Sequence, residues 1–199
     1  MESVSIRELF RNTALYAGKT VSVGGWVRSV RASKAFGFIV LHDGTFFTPL
    51  QVVYHDNLDN FQEISKTNVG AALVVTGTLV ETPDAKQPFE LQAESVVVEG
   101  SSAPDYPLQK KRHSLEFLRT MTHLRPRTNT FQAVFRVRSI AAQAIQSGRV
   151  EVNHVPLRTA HEDVFEGDIF TVRGVGRYRL VAIGGKSRKD RIFITFYQY

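Results

Sequence analysis

Hydrophobic and polar positions alternate through much of the first hundred residues, and this period of two is typical of β-strands. Val21, Val23, Gly25 and Val27 alternate with Thr20, Ser22, Gly24 and Trp26. An Asp43-Gly44 pair then provides a turn in which glycine accepts a positive φ. Four further strands are predicted, at 36–41, 50–54, 72–80 and 89–98.

Two helices interrupt this strand pattern. Ser5 and Glu8 have the spacing of a capping box, which predicts a short opening helix. Leu58, Phe61 and Ile64 share one helical face, which predicts a helix between the third and fourth strands. Five strands with a helix in that place are typical of an OB-fold barrel, whose second and third strands form a nucleic-acid face. The sequence therefore predicts a five-stranded OB-fold barrel over residues 1–100.

A linker and a smaller module follow the barrel. The string "GSSAPDYP" breaks the pattern, and 101–129 reads as a basic linker with one short helix near Leu118. A longer helix is predicted over 130–147, with Gly148 as its left-handed C-cap. Short strands are predicted at 149–153, 169–172, 179–183 and 191–196. The predicted fold class is therefore mainly β with α: a barrel, a basic helical linker and a small α+β module over 130–199.

The charge is divided unequally along the chain. It has 25 Lys and Arg against 19 Asp and Glu, a net charge of +6. Residues 1–100 hold 8 basic and 11 acidic side chains, whereas residues 101–199 hold 17 and 8. A basic half of this size suits binding of a phosphate backbone, although many basic domains merely gain solubility from their charge. With no Cys and no long apolar run, a soluble cytoplasmic protein with no membrane contact is expected.

The search for catalytic residues finds none. The absence of Cys excludes thiol nucleophiles and thiolate metal sites. The six His residues lack metal-ligand spacing, so isolated surface or capping histidines are favoured over a metal site. The string "RGVGRYR" at 173–179 lacks the third glycine of a dinucleotide site, and a turn at a strand end accounts for it better. The sequence therefore predicts no catalytic residue, no metal and no cofactor.

The predicted second strand carries the best candidate for nucleic-acid binding. Arg28, Arg31 and Lys34 precede Phe36 and Phe38, which alternation places on one face of the strand. Cations beside paired aromatic rings form a stacking surface for unpaired bases. The alternative is that one or both rings fill the barrel. On the third strand, the amide of Gln51 can read a base edge.

Basic side chains also gather around the turns of the second half. Such turns on a small sheet suit an RNA backbone, with a solvated rim as the alternative. The candidate residues are Arg149, Arg173, Arg177, Lys186, Arg188 and Lys189.

Residues 1–142 resemble the N-terminal region of bacterial asparaginyl-tRNA synthetases. The likeness is carried by "VGGWVRSVRASKAFGFIVLHDGTFF", "LQVVY", "YPLQKKRHSLEFLR" and "HLRPRTNTFQAVFRVRS". It implies an OB-fold that binds the tRNA anticodon, with Phe38 stacked on a base and Gln51 reading a base edge. It also implies that Arg28 and Arg31 hold nearby phosphates or bases. The last string resembles the start of the first class II motif, whose helix helps to form the synthetase dimer.

The second and third class II motifs, which bind ATP, have no counterpart in this sequence. The resemblance therefore does not extend to aminoacylation, and the chain is predicted not to be an enzyme. The alternative is a truncated or fused asparagine-tRNA ligase. ATP–pyrophosphate exchange distinguishes the two. A third class, an interaction protein that dimerises through the 130–147 helix, also stays open.

Residues 139–199 resemble the S-four RNA-binding domain of the YlmH type, a family associated with ribosomal RNA. The strings "SGRVEVNH" and "EGDIFTVRGVGR" carry this likeness, which implies that Arg149 contacts RNA backbone. Such domains begin with two packed helices, of which only the second is plain here. Either the first comes from the segment at 114–122, or the small module is incomplete. Two likenesses that meet near 138–142 indicate a gene fusion, an internal deletion or an artificial chimera.

Overall fold

The computed structural model describes residues 3–85, 87–187 and 192–199. The chain forms two compact units, Met1–Asn129 and Thr130–Tyr199. None of the described helices is both long and apolar enough to span a bilayer.

The first unit is built around a closed five-stranded barrel. All five predicted strands are present. Hydrogen-bonded neighbours around the closed barrel lie in the order β1-β2-β3-β5-β4. All pairs are antiparallel except a short parallel contact between β3 and β5. The OB-fold barrel predicted from the sequence is therefore confirmed. Its strands are β1 (Thr20–Ala32), β2 (Phe36–His42), β3 (Leu50–His55), β4 (Ala72–Glu81) and β5 (Phe89–Gly100).

Alternation along these strands sends one set of side chains into the barrel core. Ile39 and Leu41 of β2 and Val52 of β3 are completely buried, as are apolar residues of β4 and β5. Burial of each such side chain contributes about 1.5–3 kcal/mol. The helix predicted between the third and fourth strands is the short α3 (Phe61–Ser65), whose Phe61 and Ile64 are buried against this core.

The opening helix is α1 (Ile6–Arg11), followed by a single turn, α2 (Thr13–Tyr16). The Ser5 hydroxyl accepts from the backbone N–H of Glu8 at 3.2 Å, as the capping-box prediction requires. In a complete capping box the Glu8 side chain would also accept from the backbone N–H of Ser5. Here the Glu8 carboxylate accepts from the Asn12 side chain at 2.7 Å. Asp43, which precedes the positive-φ Gly44, instead accepts from the Ile6 N–H at 2.7 Å.

Gly37 lies at the closest approach between β2 and the barrel interior. A Cβ at this position would lie 2.3 Å from the Tyr54 ring, which is completely buried in the core. The Tyr54 hydroxyl in turn shares a 3.2 Å hydrogen bond with Ser65. Gly37 therefore makes room for Tyr54 inside the barrel, rather than for the two phenylalanines that flank it in sequence.

The segment after β5 contains α4 (Leu115–Thr120) and a 3-10 turn at Arg125–Arg127. Ser114 caps α4 by accepting from the Phe117 N–H at 3.1 Å, and Leu118 is buried. Pro126 lies in this 3-10 turn, which separates α4 from the next helix.

The second unit contains one long helix and a five-stranded sheet of order β10-β9-β8-β6-β7. Gly148 follows the helix with φ +66°, which confirms the predicted left-handed C-cap. Phe131, Val150, Leu157 and Leu180 are its buried apolar residues in the described ranges. Its elements are α5 (Asn129–Gln146), β6 (Val150–Val152), β7 (Val155–Pro156), β8 (Ile169–Val172), β9 (Gly176–Lys186) and β10 (Ile192–Gln198).

Replacing Gly37 by Ala is expected to destabilise the barrel by about 1–3 kcal/mol, because the added methyl overlaps the buried Tyr54 ring. Gly24→Ala is the matched control on β1, since its Cβ would meet only Val74 at 4.0 Å. Urea unfolding followed by Trp26 fluorescence measures both. Equal stability of the two variants would contradict this account of Gly37.

Asp168 ties two loops of the second unit together. Its carboxylate accepts from the Phe165 N–H and from the Asn153 side chain, each at 2.7 Å, and these bonds lower the pKa of Asp168. A lowered folded-state pKa stabilises the unit at pH values above the ordinary carboxyl range, and this stabilisation is lost as the pH falls through the folded-state pKa.

Asp168→Asn is therefore expected to weaken protection of the Phe165 amide against hydrogen exchange at neutral pH. The difference from the parent chain should shrink as the pH falls below about 4. Asp163→Asn, exposed in the same loop, serves as the control. The interpretation fails if Asp168→Asn and Asp163→Asn give the same protection at neutral pH.

Candidate nucleic-acid interface

The outer face of β1, β2 and β3 carries the predicted RNA-binding side chains of the barrel. Pairing places Arg31 of β1 opposite Phe38 of β2, with Ile39 and Leu41 on the opposite, buried face. Phe36 keeps 39% of its surface exposed, and Phe38 is half-buried. Neither ring therefore fills the barrel, and that alternative is wrong.

Phe36 and Phe38 form what we call the aromatic platform. Their ring centroids are 5.6 Å apart and their planes nearly perpendicular, at 89°. The edge of one ring thus supports the other, which is a preferred aromatic geometry. The Arg31 guanidinium carbon lies 5.6 Å from the Phe38 centroid, within cation–π range. Lys34 is exposed in the connection between β1 and β2.

Arg28 lies at an irregularity in β1, where the register shifts between Val27 and Ser29. Its Nη1 donates to the Asn129 side-chain oxygen at 3.0 Å. Burial lowers the pKa of Arg28, which nonetheless remains charged at neutral pH because guanidinium groups are such weak acids. The extra residue at this irregularity directs Arg28 to the same outer side as Arg31.

A carboxylate lies next to Gln51, where the sequence analysis predicted only an amide. Gln51 Nε2 donates to Glu90 Oε2 at 3.2 Å, and Gln92 Nε2 donates to Glu90 Oε1 at 2.7 Å. The parallel contact of β3 with β5 brings these residues together across the barrel closure. Gln51, Glu90 and Gln92 thus form an amide–carboxylate cluster beside the platform strands. Its only sequence signal was polar alternation at the start of the fifth strand.

The basic residues of the second unit separate into two groups. The backbone N–H of Arg173 donates to the carbonyl of Arg149 at 2.9 Å, which brings these two residues to one end of the sheet. Arg177 begins β9 near this end, and all three side chains are exposed. Lys186 ends the 11-residue β9 at the other end. Arg188 and Lys189 lie outside the described residues.

Residues that could hold a metal ion do not cluster: no group of three or more His, Asp or Glu side chains with that arrangement occurs in the ranges the structure describes.

Residues 21–99 match the tRNA anticodon family, described as an OB-fold nucleic acid binding domain. The barrel is similar to this OB-fold family. This match covers most of β1 through β5 and so includes the platform, Arg28, Gln51 and Glu90.

Two similar relatives are asparagine-tRNA ligases. The ligase of Acetivibrio thermocellus is 56% identical over 178 residues, and that of Clostridium acetobutylicum is 52% identical over 176. Each match covers 86% of this chain and 38% of the ligase. The chain thus spans about two fifths of the length of these relatives. A match over 86% of this chain must extend past residue 142. The likeness to the ligases is therefore longer than the 1–142 range predicted from the sequence.

Solved structures show the same fold at lower identity. Asparaginyl-tRNA synthetase of Pyrococcus horikoshii superimposes with a TM-score of 0.63 at 23% identity, covering 73% of this chain and 34% of that structure. Aspartyl-tRNA synthetase of Entamoeba histolytica gives 0.60 at 15% identity, covering 92% and 51%. At these identities the likeness establishes the fold alone.

Phe38→Ala is expected to cost the barrel less than about 1 kcal/mol, because the ring is half-buried on the outer face. Phe89→Ala should cost about 3–5 kcal/mol, because its ring is completely buried in the core. Chemical unfolding of both variants measures the difference. A Phe38 variant as unstable as the Phe89 variant would place Phe38 in the core after all.

Proposed function

We propose that the chain is an RNA-binding protein whose barrel binds the anticodon loop of a tRNA and whose second unit binds RNA backbone. The observation that carries the proposal is the outward aromatic platform with the Arg31 guanidinium over Phe38. An exposed ring beside a cation suits stacking of an unpaired base whose phosphate lies near the charge.

The amide–carboxylate cluster would supply sequence selectivity. The Nε2–H of Gln51 donates to Glu90. This hydrogen bond orients the amide and leaves the Oε1 of Gln51 to accept from a base. The Glu90 carboxylate, held by two glutamines, offers further acceptor capacity to base amino groups. The asparagine-type anticodon is the proposed ligand because the relatives at 56% and 52% identity are asparagine-tRNA ligases.

For the second unit we propose S-four-like RNA binding, with ribosomal RNA as the candidate partner. Arg149, Arg173 and Arg177 would hold phosphates at one end of the sheet. Lys186, Arg188 and Lys189 are proposed as a second basic set. The described part of Thr130–Tyr199 contains α5 alone as a helix, so the usual first helix of such a domain is not within this unit. A fusion of two genes is the proposed origin of both likenesses.

We propose that the chain does not catalyse aminoacylation and acts in the cytoplasm. The support is that the ligase match spans 38% of the ligase and that the sequence carries no second or third class II motif. The second candidate, a truncated or fused ligase, is favoured by the 56% identity itself. ATP–pyrophosphate exchange dependent on asparagine would establish the ligase and refute the non-catalytic proposal.

Homodimerisation through α5 is a further part of the proposal. Val134, Val137 and Ile140 follow one another at three-residue intervals and are exposed, with Val137 at 66%. Such an apolar stripe suits helix pairing between two copies. Light scattering at micromolar concentration tests it, and a strict monomer would refute it.

Phe38→Ala is expected to weaken binding of a labelled asparagine-tRNA anticodon stem-loop by about tenfold to a hundredfold, since base stacking contributes about 1–3 kcal/mol. Fluorescence anisotropy at several salt concentrations provides the measurement. The slope of log affinity against log salt should change little, because no cation is removed. Leu15→Ala, another exposed apolar residue of the first unit, is the control.

A Phe38 variant that binds like the parent chain would refute the anticodon proposal. Crosslinking of the full chain to cellular RNA then separates the units: anticodon loops are expected on the barrel, and ribosomal RNA on the second unit.

A further inference from the structure

A cleft crosses the first unit between the outer side of β1 and the segment at 104–113, which we call the strap. It encloses a cavity of about 570 Å³. A second cavity of about 390 Å³ shares five lining residues with the first: Ser29, Arg31, Val69, Gln109 and Lys110. The two cavities are therefore parts of one groove, the strap cleft, and Arg31 belongs to both.

Specific contacts hold the strap in place. The Tyr106 ring packs on Gly70, where a Cβ would lie 2.7 Å from the ring. Gln109 Nε2 donates to the carbonyl of Tyr106 at 2.8 Å, and Asn68 Nδ2 donates to that of Ser102 at 2.9 Å. Ring packing and amide hydrogen bonds thus fix the outer wall of the strap cleft.

Arg127 joins the strap to the barrel. Its guanidinium carbon lies 4.4 Å from the Trp26 ring centroid, and its Nη1 donates to the Tyr106 hydroxyl at 3.2 Å. Arg28 similarly donates to the neutral oxygen of Asn129. Both guanidinium groups are therefore positioned by neutral partners.

The charge of the strap cleft has one sign. Arg28, Arg31, Lys110, Lys111 and Arg127 all line the larger cavity, and Lys66 lines the smaller. None of the described residues that line either cavity is acidic. Cations gathered around a concave surface with apolar walls repel one another and raise the potential inside it. An anion that enters relieves this repulsion.

We infer that the strap cleft binds phosphates of the RNA strand that continues from a base stacked on the aromatic platform. This inference rests on the proposed function. Arg31 supplies the geometric link, because its guanidinium lies over the Phe38 ring and also lines both cavities. A strand that stacks one base on Phe38 places its adjacent phosphate at Arg31 and its next phosphates towards Lys110 and Lys111.

The first test removes the charge of the strap. Lys110→Gln with Lys111→Gln should make the salt slope for the anticodon stem-loop shallower by about 1.4, since each single-strand phosphate contact contributes about 0.7. Arg11→Gln with Lys19→Gln removes the same charge from exposed positions that line neither cavity. This control should leave the slope near that of the parent chain. Thermal unfolding verifies that both double variants are folded.

The second test locates the phosphates. Single phosphates of the stem-loop are replaced in turn by uncharged methylphosphonates, and binding to the parent chain and to the strap variant is compared. Where a phosphate binds in the cleft, its replacement should weaken binding to the parent chain. The same replacement should not further weaken binding to the Lys110→Gln, Lys111→Gln variant. Equal losses for both proteins at every position would overturn the inference.

Two other outcomes have defined meanings. If Phe38→Ala weakens binding but the strap variant matches its control, the strap inference fails and the anticodon proposal survives. If neither change affects binding of the stem-loop, the anticodon proposal itself fails. Inorganic phosphate and ATP are titrated as competitors. Displacement of the stem-loop by either at micromolar concentration would identify a small-anion site and overturn the assignment to RNA.

Discussion

The parallel contact between β3 and β5 closes the barrel, and the arrangement of the interface depends on it. Only two residue pairs form it, Val52 with Leu91 and Val53 with Gln92. Closure removes the open strand edges that a five-stranded sheet would otherwise expose. Its register also brings Gln51 beside Glu90. Two residue pairs thus position the polar cluster beside the platform strands.

The elements of the barrel could be predicted because each strand alternates over several residues and each turn contains a recognisable residue. The direction of the platform could not. On β2, the set containing Phe36 and Phe38 is as apolar as the set containing Ile39 and Leu41. Periodicity therefore identifies two faces of the strand without telling which is inside. A side chain at position 37 would overlap the buried Tyr54 ring, and this identifies the inner face of β2. The overlap is a contact between two strands, so the pattern within β2 does not reveal it.

The same reason accounts for the features that the sequence analysis missed. Glu90 meets Gln51 across a parallel pairing whose register no local pattern specifies. Trp26, Tyr106 and Arg127 come from three distant segments, and each alone is an ordinary partly buried side chain. In the second unit the predicted C-cap at Gly148 was local and was confirmed. The basic residues of the second unit, by contrast, were predicted as one set. In the structure, the length of β9 separates Lys186 from Arg149, Arg173 and Arg177.

The bond from Ile6 to Asp43 bears on the order in which the chain folds. A helix of six residues is too short to persist alone in water. The first backbone N–H of α1 has its acceptor 37 positions later, at the end of β2. The first backbone N–H of α1 has this acceptor only when the β2–β3 connection is in place, so the order of the opening helix depends on a later part of the chain.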